Sequence, residues 1–139
     1  MYATAHQRRR HVWTYVSGGS ESAIYKSTDG GANWSKLENG VPSEDKGRIA
    51  LAIPPARPDR IYAMIEGHGT YRSDNGGASF KKLNDDYTSG NYYVELISDP
   101  VNPDKVYSMD TWMQVSTDAG KTWKSVPEKN WPKDEESLK

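Results

Sequence analysis

The sequence predicts an all-β fold assembled from about three four-stranded antiparallel β-propeller blades. Three observations carry this. An eight-residue element recurs as STDGGANW from Ser27 to Trp34, SDNGGASF from Ser73 to Phe80 and STDAGKTW from Ser116 to Trp123, with spacings of 46 and 43 residues. A second block, LAIPPARPDRIYAM from Leu51 to Met64, returns as LISDPVNPDKVYSM from Leu96 to Met109 at an offset of 45. A repeat of this length, built of short alternating runs such as Ile61/Ala63/Ile65, has the size of one propeller blade. Finally, no helical period is sustained outside the polar tail.

Each repeat reads as strands a to d, from the inside of a ring outwards. At the start, Tyr2-Ala3-Thr4 aligns with Tyr62-Ala63-Met64 and Tyr107-Ser108-Met109, so the chain opens at strand b and its first blade has no innermost strand. The alternative makes Tyr2–His6 strand a and Val12–Val16 strand b, giving three complete blades. The matching dipeptide favours the first parse. Tyr2 then lies 25 residues before Ser27, against 11 and 9 in the later repeats, which marks an insertion of roughly His6 to Ser22. The middle repeat reads as Arg48–Ile53, Arg60–Glu66, Thr70–Ser73 and Ser79–Leu83. The third reads as Tyr92–Ser98, Lys105–Asp110, Trp112–Ser116 and Thr122–Val126. Pro54, Pro55, Pro58, Pro100 and Pro103 punctuate the a–b turns. The blades are expected at about 1–38, 47–83 and 91–126, making 1–126 a partial propeller. Residues 127–139 form a polar tail, with a helical turn after Pro132 and Trp131 docked on a neighbouring blade.

Composition narrows the classes. Leu, Ile, Val and Phe make up only 14% of the 139 residues, but five Trp and nine Tyr supply apolar area, each burying roughly 150–250 Å². A net charge of -1 and a pI near 6.3 argue against a strongly basic nucleic-acid binder, and the expected partners include neither nucleic acid nor membrane. Without Cys there is no disulfide, thiolate metal site or cysteine nucleophile.

The eight-residue element is a turn. Its Ser and Asp side chains bond neighbouring backbone N–H groups. Gly31, Gly77 and Gly120 stand where a positive φ is needed. Trp34, Phe80 and Trp123 open the outer strand and are expected to be buried at equivalent positions. The residues Ser27, Asp29, Gly31, Trp34; Ser73, Asn75, Gly77, Phe80; and Ser116, Asp118, Gly120, Trp123 are therefore assigned to structure. The element resembles the Asp-box, S-x-D-x-G-x-[ST]-[WF], of sialidase-type and sortilin-type propellers. Asn75 departs from it but accepts the same local hydrogen bonds. From residue 1 to about 126 the chain is similar to a segment of the bacterial Asp-box (BNR) repeat proteins of sortilin-like or glycosidase-like type. That resemblance implies an exported parent, secreted or periplasmic. The N-terminus MYATAHQRRRHV has no apolar run before a cleavage site, so no signal peptide is read and the compartment stays open.

Strand order places the b–c and d–a connections on one face, opposite the boxes. That face collects long, charged and aromatic loops, where propellers carry function. The ligand-binding candidates are His6, Arg8, Arg9, Arg10, Trp13, Glu66, His68, Asp110 and Trp112. Glycoside hydrolysis needs two carboxyl groups about 5–9.5 Å apart across a cleft. Glu66, Asp85, Asp86 and Asp110 are the low-ranking candidates, with Trp112 and Tyr87 as sugar platforms, and no catalytic residue is assigned. The resemblance to sialidases would imply an arginine triad and a Tyr nucleophile, but their N-terminal arginine motif has no match and Arg8–Arg10 do not substitute for it. His6, His11 and His68 lack metal-ligand spacing, and no metal or cofactor is expected. Three blades leave sheet faces uncovered. The expected function is thus a non-enzymatic binding or scaffold module whose ring is completed by homo-oligomerisation or by a longer propeller, with a protein, peptide or glycan ligand. The alternative is a glycoside-hydrolase-like fragment.

Overall fold

The computed structural model describes residues 1–87 and 94–127. Sequence readings on the start of the third a strand at Tyr92 and on the tail beyond Pro127, including Trp131, lie outside the described residues. Thirteen strands are present among those described, and no helix. The first sheet has the order β1 (Tyr2–Ala5), β4 (Ala23–Lys26), β5 (Ser35–Leu37). The second runs β6 (Ile49–Ala52), β7 (Ile61–Ile65), β8 (Gly69–Ser73), β9 (Lys81–Asn84). The third runs β10 (Glu95–Ser98), β11 (Val106–Met109), β12 (Met113–Ser116), β13 (Lys124–Ser125). All pairings are antiparallel. Among the described residues the first sheet has no strand inside β1, as the Tyr2-Ala3-Thr4 alignment requires.

The insertion is not a loop. It forms a separate hairpin, β2 (Arg8–His11) and β3 (Thr14–Ser17). Val12 and Trp13 make its turn, which overturns the parse that put a blade strand over Val12–Val16.

The three boxes share one hydrogen-bond pattern. The hydroxyls of Ser27, Ser73 and Ser116 accept the N–H of Gly31, Gly77 and Gly120 at 2.8, 2.9 and 2.9 Å. Each hydroxyl donates to the side chain two residues on, at 2.8 Å to Asp29, 2.9 Å to Asn75 and 2.8 Å to Asp118. That oxygen in turn accepts the N–H of Asn33, Ser79 or Thr122. Asn75 therefore replaces Asp without loss of a backbone contact. Two successive left-handed residues make the bend, Gly30–Gly31, Gly76–Gly77 and Ala119–Gly120. Ala119, at φ 61°, holds with a Cβ what glycine holds in the other copies.

Each box also seals its sheet against the sheet before it. The Gly76 carbonyl accepts from the Tyr2 hydroxyl and the Lys26 ammonium, both at 2.8 Å. In the next interface the Ala119 carbonyl accepts from the Arg72 guanidinium at 2.8 Å. A Cβ on Gly77 would come within 2.9 Å of Leu37, and one on Gly120 within 3.1 Å of Leu83 and 3.2 Å of Tyr62. Phe80 joins the core between the first and second sheets with Ile24, Ile61, Ala63 and Ile65. Trp123 packs against the core between the second and third sheets, beside Tyr62, Met64, Leu96 and Val106, and its indole N–H donates to the Thr70 hydroxyl at 3.2 Å. Because β7 is covered on both faces, all five of its residues are buried.

Trp34 departs from the expected burial. It is 41% exposed, against 7% for Phe80, because its own sheet has no preceding sheet. It instead borders an open apolar groove of about 290 Å³ with Ala3, Thr4, Ala5 and Tyr25. Arg60 makes a second clamp between sheets. It is buried, and it donates to Asp74 at 2.7 Å and to Asp104 at the a–b turn of the third sheet.

Two predictions follow from the boxes. In the single chain, Phe80→Ala should cost about 3–5 kcal/mol and Trp34→Ala about 1 kcal/mol or less, read from urea unfolding. Equal losses would contradict the directional packing. The second concerns acid. Hydrogen bonds from the Asn33 N–H and side chain and from Ser27 hold Asp29 at about 2. At Asp118 burial opposes ionisation, but bonds from Thr122 and Ser116 outweigh it and also hold it at about 2. Both groups have folded values below an unfolded value of about 3.9, so their stabilisation is full above that value and is lost as pH falls through about 2. Asp29→Asn with Asp118→Asn, copying Asn75, should flatten the melting temperature between pH 5 and pH 2 while keeping the fold. An unchanged slope would contradict it.

Candidate functional site

The b–c and d–a connections meet where the hairpin returns to the first sheet. Gly18 N–H donates to the Gln7 carbonyl at 2.9 Å, and Gly19 bridges to Lys46. Glu66, on the b–c turn of the second sheet, accepts the Arg48 N–H at 2.9 Å through its carboxylate. The His68 ring contacts the Asp45 carbonyl at 2.8 Å. Between the hairpin and these turns lies a cleft of about 440 Å³, lined by residues including Val16, Ser17, Asp45, Glu66 and Tyr87.

One wall of this region is cationic. The His6 ring lies 3.1 Å from the Ser17 hydroxyl. Burial, then the charge of Arg48, pushes His6 below its usual value; Glu66 opposes this and Arg8 adds to it. A hydrogen bond with Ser17, helped by Arg48 and Arg8, lowers the Tyr15 phenol. His6, Arg8, Glu66 and His68 of the sequence-based candidates are thus brought to one region. Arg9 and Arg10 stand on the exposed β2 strand, and Trp13 projects from the hairpin tip at 82% exposure, stacked on His11 at 5.4 Å. Asp110 and Trp112 sit on the turn of the third sheet instead, where Trp112 is 61% exposed and Asp110 meets Thr111.

The acidic candidates are engaged separately. The Glu66 carboxylate holds a backbone N–H, that of Asp85 pairs with Lys82 at 2.5 Å and that of Asp110 accepts from Thr111, whereas at Asp86 it is the main-chain carbonyl that accepts, from Thr70 at 2.7 Å. Among the described residues no group of three or more His, Cys, Asp or Glu is placed to hold a metal ion. Sequence reasoning missed Ser17 and Arg48 as partners of His6 and of Tyr15. Neither flank signals the hairpin: RRRH and TYVS show no period-two alternation, and the Val12-Trp13 turn lacks the Gly or Asn of a two-residue hairpin loop.

Comparison with known proteins bears on the boxes first. The BNR/Asp-box repeat family model matches residues 25–36 and 114–125. These are BNR/Asp-box repeats. The middle copy, with Asn75, falls outside the two matched stretches but keeps the Asp-box hydrogen bonds. A xyloglucanase from Paenibacillus sp is 33% identical over 100 residues, covering 67% of this chain and 10% of that protein. A xyloglucanase from Hypocrea jecorina (strain QM6a) is 29% identical, covering 78% of this chain and 17% of that protein. The chain thus spans less than a fifth of the length of either relative. Among solved structures, YCF48 bound to D1 peptide is similar at a TM-score of 0.58 and 12% identity, covering 78% of this chain and 35% of that one. The Asp-box sheets are β-propeller blades.

The geometry around His6 makes a prediction. Arg48→Met should raise the His6 pKa and Glu66→Gln should lower it, followed by ring-proton NMR titration. A titration unmoved by either change would contradict the arrangement.

Proposed function

We propose that this chain is a non-enzymatic Asp-box module that supplies blades to a closed ring, completed by other copies or within a longer propeller, and that binds a protein or peptide on its loop-rich face. The observation that carries the reading is a repeated interface of which, among the described residues, one half is left unmet at each outer sheet. Tyr2, Lys26 and Leu37 receive the second box, and Tyr62, Arg72 and Leu83 receive the third. Their counterparts in the third sheet by sequence spacing include Tyr107 and Val115, which pair on one sheet face. The first sheet presents the complementary surface, its own box with Trp34 over the Ala3–Tyr25 groove. Two copies would give six blades and three would give nine, in or near the range of closed rings. Peptide binding by the similar YCF48 supports a protein ligand.

The names of the curated relatives favour a second reading, glycoside hydrolysis of xyloglucan by carboxylates among Glu66, Asp85, Asp86 and Asp110. The engagement of Glu66 by the Arg48 N–H and of Asp85 by Lys82 weighs against it. Release of reducing ends from xyloglucan, abolished by Glu66→Gln or Asp110→Asn, would favour it.

Light scattering over a range of concentrations tests the ring. A discrete mass of two or three times 15.6 kDa is expected, and Val115→Asp should return it to one copy with the melting temperature kept. A folded species of one copy at every concentration would overturn assembly from copies.

A further inference from the structure

The segment from His6 to Ser17 carries three arginines, two histidines and no carboxylate, in a chain of net charge -1. It folds as the β2–β3 hairpin, a two-stranded sheet of its own with every strand residue exposed. Such a hairpin is marginal alone, and its free edges present unpaired N–H and C=O groups.

Register sorts those groups. Gly18 donates to Gln7, so the mutually bonded pairs of this antiparallel ladder fall at Gln7/Gly18, Arg9/Val16 and His11/Thr14. Arg8 and Arg10 therefore turn their main-chain groups outward along β2, where no described residue pairs with them. Their side chains share one hairpin face with Tyr15 and Ser17, opposite which they stand. On that same face Arg48 and Arg8 act on the Tyr15 phenol and on His6. One edge thus combines alternating backbone donors and acceptors with guanidinium groups at two-residue spacing.

We infer that the β2 edge, Arg8 to Arg10, docks an extended acidic peptide as a third strand, with carboxylates two residues apart that pair with Arg8 and Arg10. This rests on the reading of the loop-rich face as the binding face. A peptide backbone answers both the N–H and the C=O groups of an edge, and alternate side chains then fall on one face. Arg forks match carboxylates in a bidentate manner. A nucleic-acid strand answers the charge, but its phosphates offer no donor to the outward carbonyls.

Fluorescence anisotropy with a labelled peptide of sequence Gly-Glu-Val-Glu-Val-Glu-Gly tests it, beside an isomer with its three Glu contiguous and a thymidine oligonucleotide of matched charge. The alternating peptide should bind about tenfold more tightly than its isomer. Arg8→Gln with Arg10→Gln should weaken it by about tenfold or more at an unchanged melting temperature. Amide exchange at Arg8 and Arg10 should slow on binding, a mark of strand pairing that charge attraction alone would not leave. No binding, binding indifferent to the double substitution, or equal binding of the isomer or the oligonucleotide would overturn the inference. Light scattering on the same samples separates the two readings: peptide binding by single chains overturns ring assembly from copies alone, and assembled rings that ignore the peptide overturn the docking strand alone.

Discussion

A serine hydroxyl at the head of each Asp-box accepts a glycine N–H four residues on, and the rest of the structure depends on that bond. It closes a bend of two left-handed residues, which turns the following carbonyl and aromatic away from the sheet that made them. In the second and third boxes both then meet the sheet before. The turn is local in sequence, but its consequence is long-range: residues 27–34, 73–80 and 116–123 set how one blade stacks on another. Burial of the glycines explains why the bend tolerates so little. A Cβ on Gly31 of the first box would meet Trp34 and Met1 at an ordinary 3.6 and 3.7 Å, whereas one on the equivalent Gly77 would press into Leu37 at 2.9 Å.

This directionality orders the core. The second sheet, covered on both sides, is apolar on both faces, with Ile61, Ala63 and Ile65 turned to the first sheet and Tyr62 and Met64 to the third. Among the described residues the outer sheets are covered on one side only. On β11, Val106 and Ser108 are buried while Tyr107 and Met109 are half-exposed. On the first sheet Trp34 and Tyr25 border an open groove. Exposed apolar sheet faces of this kind are costly unless covered. The repeated interface specifies what fits there, because each outer face is one half of a contact made twice inside the chain.

Much of this was legible in the sequence. The box pattern gave the turns, the prolines gave the a–b connections, and the Tyr-Ala dipeptide at Tyr2 and Tyr62 gave the missing innermost strand. Burial of Trp34 was not legible, because burial depends on the neighbouring sheet and not on the box. The hairpin was hidden for a local reason: Val12-Trp13 lacks the Gly or Asn that marks a two-residue turn. With the hairpin unread, Tyr15 and Ser17 could not be placed opposite Arg10 and Arg8, nor Arg48 beside them. The Arg60 clamp was also missed, since Asp74 and Asp104 lie in different repeats and only packing brings them together.

Amide hydrogen exchange at the three box glycines tests most directly whether each box is sealed by the sheet before it. Gly31, Gly77 and Gly120 each donate to the serine hydroxyl of their own box at nearly the same distance, so the local bond is held constant. In single chains at low concentration, Gly77 and Gly120 should exchange near the global unfolding limit and Gly31 much faster. Equal protection at all three in single chains, or rapid exchange at Gly77 and Gly120, would contradict the role assigned to the preceding sheet.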